Sequence, residues 1–217
     1  MPKTALGTSS ASQREQAYKA LRRLLVLQQV EAGQRLREPE WAERLNVHRS
    51  ALREAFARLE AEGLIERGSR TGYFVPQLSS SDLAEVTKLR LAFECLAIDE
   101  VCKLPDTALK PLTAAIDAFE RFLDEHYPLG AIEADRRFHE ALIDAARMRR
   151  LSALYHRAPL PMIHRRTEDV DAWRELCHRT LREHRQIVAA LRKRNAEEAK
   201  RVLREHLSER PMLPMCH

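Results

Sequence analysis

The sequence is poor in the features that build sheet proteins, disulfide scaffolds and membrane proteins. Six glycines in 217 residues, with no sustained Val/Ile/Thr alternation, argue against turn-rich β architecture and favour a mostly helical chain. Cys95, Cys102, Cys177 and Cys216 form no CxxC pair and no dense framework, as expected of free thiols in a reducing cytoplasm. No apolar stretch approaches the ~18 residues a membrane span requires. The opening Met1-Pro2-Lys3-Thr4-Ala5-Leu6-Gly7 lacks the apolar run of a signal peptide. A soluble, cytoplasmic protein is the expectation. Also missing are an HExxH helix, a nucleophile elbow and a phosphate loop, the marks of several large enzyme classes.

What is present divides unevenly along the chain. Residues 1–78 carry 13 Lys+Arg against 9 Asp+Glu, whereas the remaining residues carry 24 against 23. The basic excess lies in the first third, where a polyanionic partner is expected. Hydrophobic residues make up 44% of the chain, enough for one large core or two smaller ones.

Periodicity predicts a disordered tail over 1–12 and a helix over 13–29. A short helix follows over 39–45, then a longer one over 49–62 closed by Gly63. Strands are predicted at 64–67 and 72–75, joined by Gly68-Ser69-Arg70-Thr71, a hairpin signal. That order is a winged helix-turn-helix spanning 13–76. Residues 77–81 read as a Ser-rich linker, with Ser81 or Asp82 expected to cap the next helix. The rest, 82–210, is helical by pattern. Six helices are predicted, near 82–102, 106–126, 129–146, 148–166, 170–194 and 196–209, the fourth interrupted by Pro159 and Pro161.

The predicted recognition helix carries the first chemistry. Such a helix presents its N-terminal side chains to base edges in the major groove, where arginine can bind guanine O6 and N7 together. Arg49 and Arg53 are four apart and share a face, with Ser50 beside them, while Leu52, Phe56 and Leu59 point to the core. Arg37, Arg67 and Arg70 stand where phosphates could be bound. The run Gly33-Gln34-Arg35-Leu36-Arg37-Glu38, Trp41 to Ser50, Leu52 to Leu59 and Glu62-Gly63-Leu64-Ile65 resembles the DNA-reading head of the GntR family. His48, Ala51 and Trp41 depart from its usual Ser/Thr, Pro and Leu. The resemblance implies that Arg49, Ser50 and Arg53 touch DNA and that Gly72 lets the wing approach the minor groove. His48 stands at the expected N-cap, where a histidine either caps less well than serine or contacts phosphate.

The second chemistry lies in the helical half. Asp135 and His139, at i and i+4, project from one helix face. The segments Asp135-Arg136-Arg137-Phe138-His139-Glu140-Ala141-Leu142, Glu183-His184 to Leu191, and Ala196 to Ala199 with His206-Leu207 resemble the FCD effector domain of FadR-type members of the same family. The six-helix count resembles the shorter VanR-type branch. The resemblance implies a divalent metal on Asp135, His139, His184 and His206. Three neutral imidazoles and one carboxylate suit Zn²⁺, or Ni²⁺ and similar ions, and leave room for an anionic ligand. Arg90 matches an arginine that the family carries on its first effector-domain helix. It is expected either to fork a carboxylate effector or to pair with Glu94 at i+4. His126, His156, His164 and His178 receive no role, and Tyr155 and Met162 read as core packing.

The expectation is a mostly α protein with an N-terminal winged helix-turn-helix and a C-terminal six-helix antiparallel bundle. The resemblance implies a homodimeric repressor that reads a palindromic operator on double-stranded DNA and senses a small organic acid at a metal. Two alternatives remain: a metal-dependent hydrolase using the same His/Asp cluster, and a winged-helix regulator whose helical domain only dimerises.

Overall fold

The computed structural model describes residues 10–68, 72–157 and 169–208. The chain divides into two compact units, residues 1–77 and 78–217, each with its own apolar core.

In the first unit, α1 (Ser10–Val26), α2 (Glu38–Leu45) and α3 (Arg49–Ala61) combine with three two-residue strands, β1 (Arg35–Leu36), β2 (Glu66–Arg67) and β3 (Tyr73–Phe74). The strands form an antiparallel sheet in the order β1-β3-β2. The sequence predicted only the β2–β3 hairpin. Two residues are too few to show an alternation, so β1 carried no signal. Helix α1 begins at Ser10 rather than 13, so Ser10, Ala11 and Ser12 belong to the helix and not to a tail. Its first turns are tied to α3 and its N-cap: Arg14 Nη1 lies 2.8 Å from Glu54 and Glu15 lies 3.1 Å from Arg58 Nη1, while Gln13 Oε1 accepts from the His48 backbone N–H at 3.2 Å.

The end of α3 follows from one glycine. Gly63 adopts φ +70°, a left-handed conformation that glycine enters without a Cβ penalty. The reversal lets Leu64 N–H reach the Leu59 carbonyl and Gly63 N–H the Glu60 carbonyl, both at 3.0 Å. That pair of bonds is a Schellman cap, which satisfies carbonyls the helix leaves open. Leu21, Leu36, Leu52, Phe56, Leu59 and Ile65 are almost fully buried and make the centre of this core.

In the second unit, α4 (Ser80–Val101), a 3-10 turn (Asp106–Leu109), α5 (Lys110–Asp124), α6 (Pro128–Ala145), α7 (Arg149–Arg157), α8 (Val170–Arg192) and α9 (Ala196–Ser208) follow in order. Six α-helices are thus present among the described residues, and the expected interruption at Pro159 and Pro161 lies outside them. The cap of α4 is Ser79, not Ser81 or Asp82. Ser79 accepts from Asp82 N–H at 3.2 Å, and the Asp82 carboxylate accepts from Ser79 N–H at 2.8 Å. This reciprocal box satisfies two donors and explains why the helix begins early. Pro111 and Pro128 sit in the first turns of α5 and α6, where a missing N–H costs nothing. Helix α6 packs on α4 and α5, α9 on α4 and α8, and α5 on α8. Ile98, Leu112, Phe138, Leu142, Ile187 and Leu203 fill the space between them.

Candidate metal centre and nucleic-acid interface

Helix α3 separates its two faces cleanly. Ala51, Leu52, Ala55, Phe56 and Leu59 are buried, whereas Arg49, Ser50 and Arg53 are exposed. Arg53 does not project freely: its Nε donates to Glu38 Oε2 at 2.7 Å. Arg37 is exposed and lies 3.1 Å from Glu40. His48 occupies the N-cap position with extended backbone but makes no side-chain cap hydrogen bond. The position is the expected one, and the ring caps less well than the serine it replaces.

Trp41, the departure from the usual leucine, is 3% exposed and belongs to the core. The guanidinium of Arg44 lies over its ring, 4.7 Å from the centroid, a cation–π contact.

The wing is closed by a 3.0 Å bond from Gly68 N–H to the Gly72 carbonyl. Gly72 has φ +99°, and a Cβ there would come within 3.2 Å of Arg35 Nε. Backbone conformation favours glycine at this point, while a Cβ would press on the movable end of the Arg35 side chain. Arg70 lies outside the described residues. Arg67, expected near phosphate, instead donates to Tyr73 Oη at 2.9 Å on its own sheet.

In the helical unit, α6 supplies Asp135 and His139, α8 supplies His184 and α9 supplies His206. All four are at most 2% exposed. One ligand atom from each lies within 4.8 Å of every other. Asp135 Oδ1 is 3.8 Å from His139 Nε2 and 3.5 Å from His184 Nε2. His139 Nε2 and His206 Nε2 are 3.2 Å apart.

Residues around this cluster orient it. His139 Nδ1 lies 2.6 Å from Glu94 Oε2, and His206 Nδ1 lies 2.7 Å from Glu183 Oε2. The His184 ring is stacked on Phe138 at 3.7 Å between centroids, with Phe119 edge-on at 6.2 Å. Glu94 Oε1 also accepts from Arg90 Nε at 3.0 Å and from Tyr155 Oη at 2.9 Å. The i+4 pair between Arg90 and Glu94 is therefore formed. Arg90, 4% exposed, nevertheless retains an Nη2 with no hydrogen-bond partner.

Glu94, Glu183 and Phe138 were missed as parts of the site, and Tyr155 was read only as packing. Glu94 stands one helical turn after Arg90, and Glu183 immediately precedes a ligand histidine. Those positions are the only traces the sequence carries of them.

The protonation states follow from the surroundings. Burial alone would raise the Glu94 carboxyl; the hydrogen bond from His139 and the Arg90 guanidinium overturn that and hold it below the ordinary carboxylate range. Burial, outweighing the opposite pull of Glu94, lowers the His139 imidazolium. Burial and the Glu94 charge both raise the Tyr155 phenol, so it stays a donor. A neutral His139 is the form that ligates a metal.

Two observations test whether a divalent cation fits these residues. His139 and His206 face each other through Nε2 atoms 3.2 Å apart, each with a carboxylate at its Nδ1. A cation between those two nitrogens would be bound by both lone pairs. Nitrogens bound at ~2.0–2.1 Å to one ion stand roughly 3.0–3.4 Å apart. The fully enclosed charges, Asp135 and Glu94 against Arg90, also leave the interior negative. The donor set fits a divalent metal.

A winged helix joined to a helical bundle with a buried His/Asp cluster defines a class of DNA-binding regulators, and comparison with known proteins identifies the group. Residues 13–75 match the gntR family of bacterial regulatory proteins, and residues 85–209 match the FCD domain. An HTH-type transcriptional regulator of Bacillus subtilis, YdhC, is 29% identical over 89% of this chain and 87% of that protein. The HTH-type transcriptional repressor RspR of Escherichia coli is 27% identical over 90% of this chain and 86% of that protein. The solved structure of E. coli McbR/YncC superposes with a TM-score of 0.69 at 20% identity, covering 91% of this chain and 94% of that one, which shows a shared fold. The chain belongs to the gntR family, with a C-terminal FCD domain, and is a DNA-binding transcriptional regulator rather than an enzyme. No helix among the described residues is long and apolar enough to cross a membrane.

Proposed function

We propose that this regulator is a repressor that senses a small organic acid at a divalent metal, zinc first and nickel as the alternative, held by Asp135, His139, His184 and His206. The observation that carries this reading is the convergence of those four buried groups from three helices beside an arginine whose Nη2 has no partner. A bound metal supplies a positive point charge with open positions for a carboxylate oxygen. Arg90 Nη2 provides the second anchor, since a buried guanidinium N–H left unbonded is costly and a carboxylate satisfies it. Glu94 and Tyr155 keep the Arg90 side chain in place.

Repression is supported by the name of the E. coli relative RspR. In the head, Arg49, Ser50 and Arg53 are the base-reading residues, Arg37 and Arg70 bind phosphate, and Gly72 brings the wing close to the minor groove. A homodimer presents two such heads to a palindromic operator. The acid shifts the equilibrium between operator-binding and released states only by its difference in affinity for the two.

Elemental analysis of the purified protein, followed by a thermal-shift screen of small organic acids with and without chelator, tests the reading. An acid whose stabilisation disappears with chelator is the expected hit. A metal-free protein that still responds to the acid overturns the metal's part. A protein that holds metal yet responds to no acid leaves only a dimerising helical domain.

A further inference from the structure

Glu94 and Glu183 lie outside the ligand set, yet each touches one of its rings. We propose that they are positioning residues: each locks one imidazole, His139 or His206, in its Nδ1–H tautomer so that both Nε2 lone pairs converge on one point. The proposal rests on the metal reading of the cluster and deepens it.

The geometry distinguishes the three rings. His139 Nδ1 is 2.6 Å from Glu94 Oε2, and His206 Nδ1 is 2.7 Å from Glu183 Oε2. A carboxylate can only accept, so both Nδ1 atoms must carry the proton. The nitrogen left with a lone pair is then Nε2, and those are the atoms that face each other at 3.2 Å. His184 is oriented differently, by its stack on Phe138 and its edge contact with Phe119. A hydrogen bond at one ring nitrogen sets the role of the other and raises its basicity as a ligand.

The two carboxylates are held with different stiffness. Glu94 is fully buried, and its second oxygen is occupied by Arg90 Nε and Tyr155 Oη. It cannot swing away from His139 without breaking that network. Glu183 sits at the rim with 16% of its side chain exposed, and Arg179 lies 3.9 Å from its other oxygen. Glu183 is thus less enclosed than Glu94, which makes it the informative position to change.

The test uses the full-length protein with ¹⁵N-labelled histidine and Co²⁺, whose d–d absorption reports its ligands. In the metal-free wild type, His139 and His206 are expected to show a protonated Nδ1 and an unprotonated Nε2. In Glu183→Ala, His206 is expected to lose that tautomer while His139 keeps it, and Co²⁺ affinity to fall by roughly 10- to 100-fold. Glu94→Gln is expected to release His139 in the same way. If that variant does not fold, the wild-type spectrum and Glu183→Ala still decide the matter. An Nε2–H signal on either ring in the wild type overturns the proposal. So does a Glu183→Ala protein with wild-type tautomers and Co²⁺ affinity. A wild type that takes up no Co²⁺ fails the metal reading itself, an outcome separable from the other two because the tautomers are measured without metal.

Discussion

Single side chains decide two separate questions, whether the head reads DNA and whether the bundle reads an acid. Arg53 is held by Glu38, but the pair is well exposed, with 65% and 28% of the side chains accessible. Exposed pairs contribute about 0–1 kcal/mol, less than the ~1–3 kcal/mol of a bidentate contact to guanine. The arginine can therefore exchange Glu38 for a base. Arg53→Ala should weaken operator binding by roughly 5- to 150-fold in a gel-shift titration while leaving the fold intact; unchanged affinity would remove Arg53 from the interface. Arg90 is the opposite case, enclosed and committed to Glu94 through Nε, with Nη2 left over. Charged hydrogen bonds contribute about 1.5–3 kcal/mol. Arg90→Met should thus lower affinity for the stabilising acid by roughly 10- to 150-fold, read as a shift of the calorimetric titration midpoint. Metal affinity should fall as well, less than in Glu94→Gln, because Arg90 bears on His139 through Glu94.

Between elements, the decisive features are the joints, and these were unevenly legible. The faces of α3 and the positions of the ligands on α6, α8 and α9 follow from helical periodicity, so Leu52, Phe56 and Leu59 were readable as core and Asp135 with His139 as one face. Strand β1 was not readable, because Arg35 and Leu36 are too short a run. The Ser79–Asp82 box was passed over because two further serines follow it at equal propensity, and only the Asp three residues on distinguishes Ser79. Glu94 and Glu183 were hidden for another reason. Their roles depend on which helix lies opposite, which no local pattern records.

One joint gives a pH signature. Tyr18 donates to Glu62, while Arg22 Nε also binds Glu62 at 2.7 Å and Arg58 lies over the Tyr18 ring, fastening α1 to the end of α3. Burial first, and Glu62 second, push the Tyr18 phenol up to about 12. The unfolded chain releases that proton near its ordinary value of about 10. The folded head binds it more tightly, so this contribution is intact below about pH 10 and is lost as pH rises through about 12. Tyr18→Phe should flatten that alkaline decline in a series of denaturant titrations. A second joint is steric. A Cβ on Gly130 would fall 2.5–2.7 Å from the Tyr127 and Phe122 rings, near the start of α6 against α5. Gly130→Ala should cost about 1–3 kcal/mol of stability through overpacking, measured by denaturant midpoint.

At the scale of the whole molecule, two units with separate cores share one chain, and all four ligands lie in the second. A ligand that binds only the folded state stabilises it by RT ln(1 + [L]/Kd), about 4 kcal/mol at 1,000 times Kd. Metal removal should therefore act on the helical unit directly and reach the head only through whatever coupling the two possess. The chain carries its own reporters. Of its two tryptophans, Trp41 is buried in the core of the head and Trp173 packs against the core of the helical unit from α8. Trp41→Phe and Trp173→Phe variants isolate one signal each. With chelator, the transition reported by Trp173 should move down by several degrees, since 1 kcal/mol shifts the midpoint of a domain this size by about 2–4 °C. The transition reported by Trp41 should move less. Equal shifts in both would mean that the two units unfold as one cooperative body, and that the energy of metal binding is already shared with the DNA-reading half.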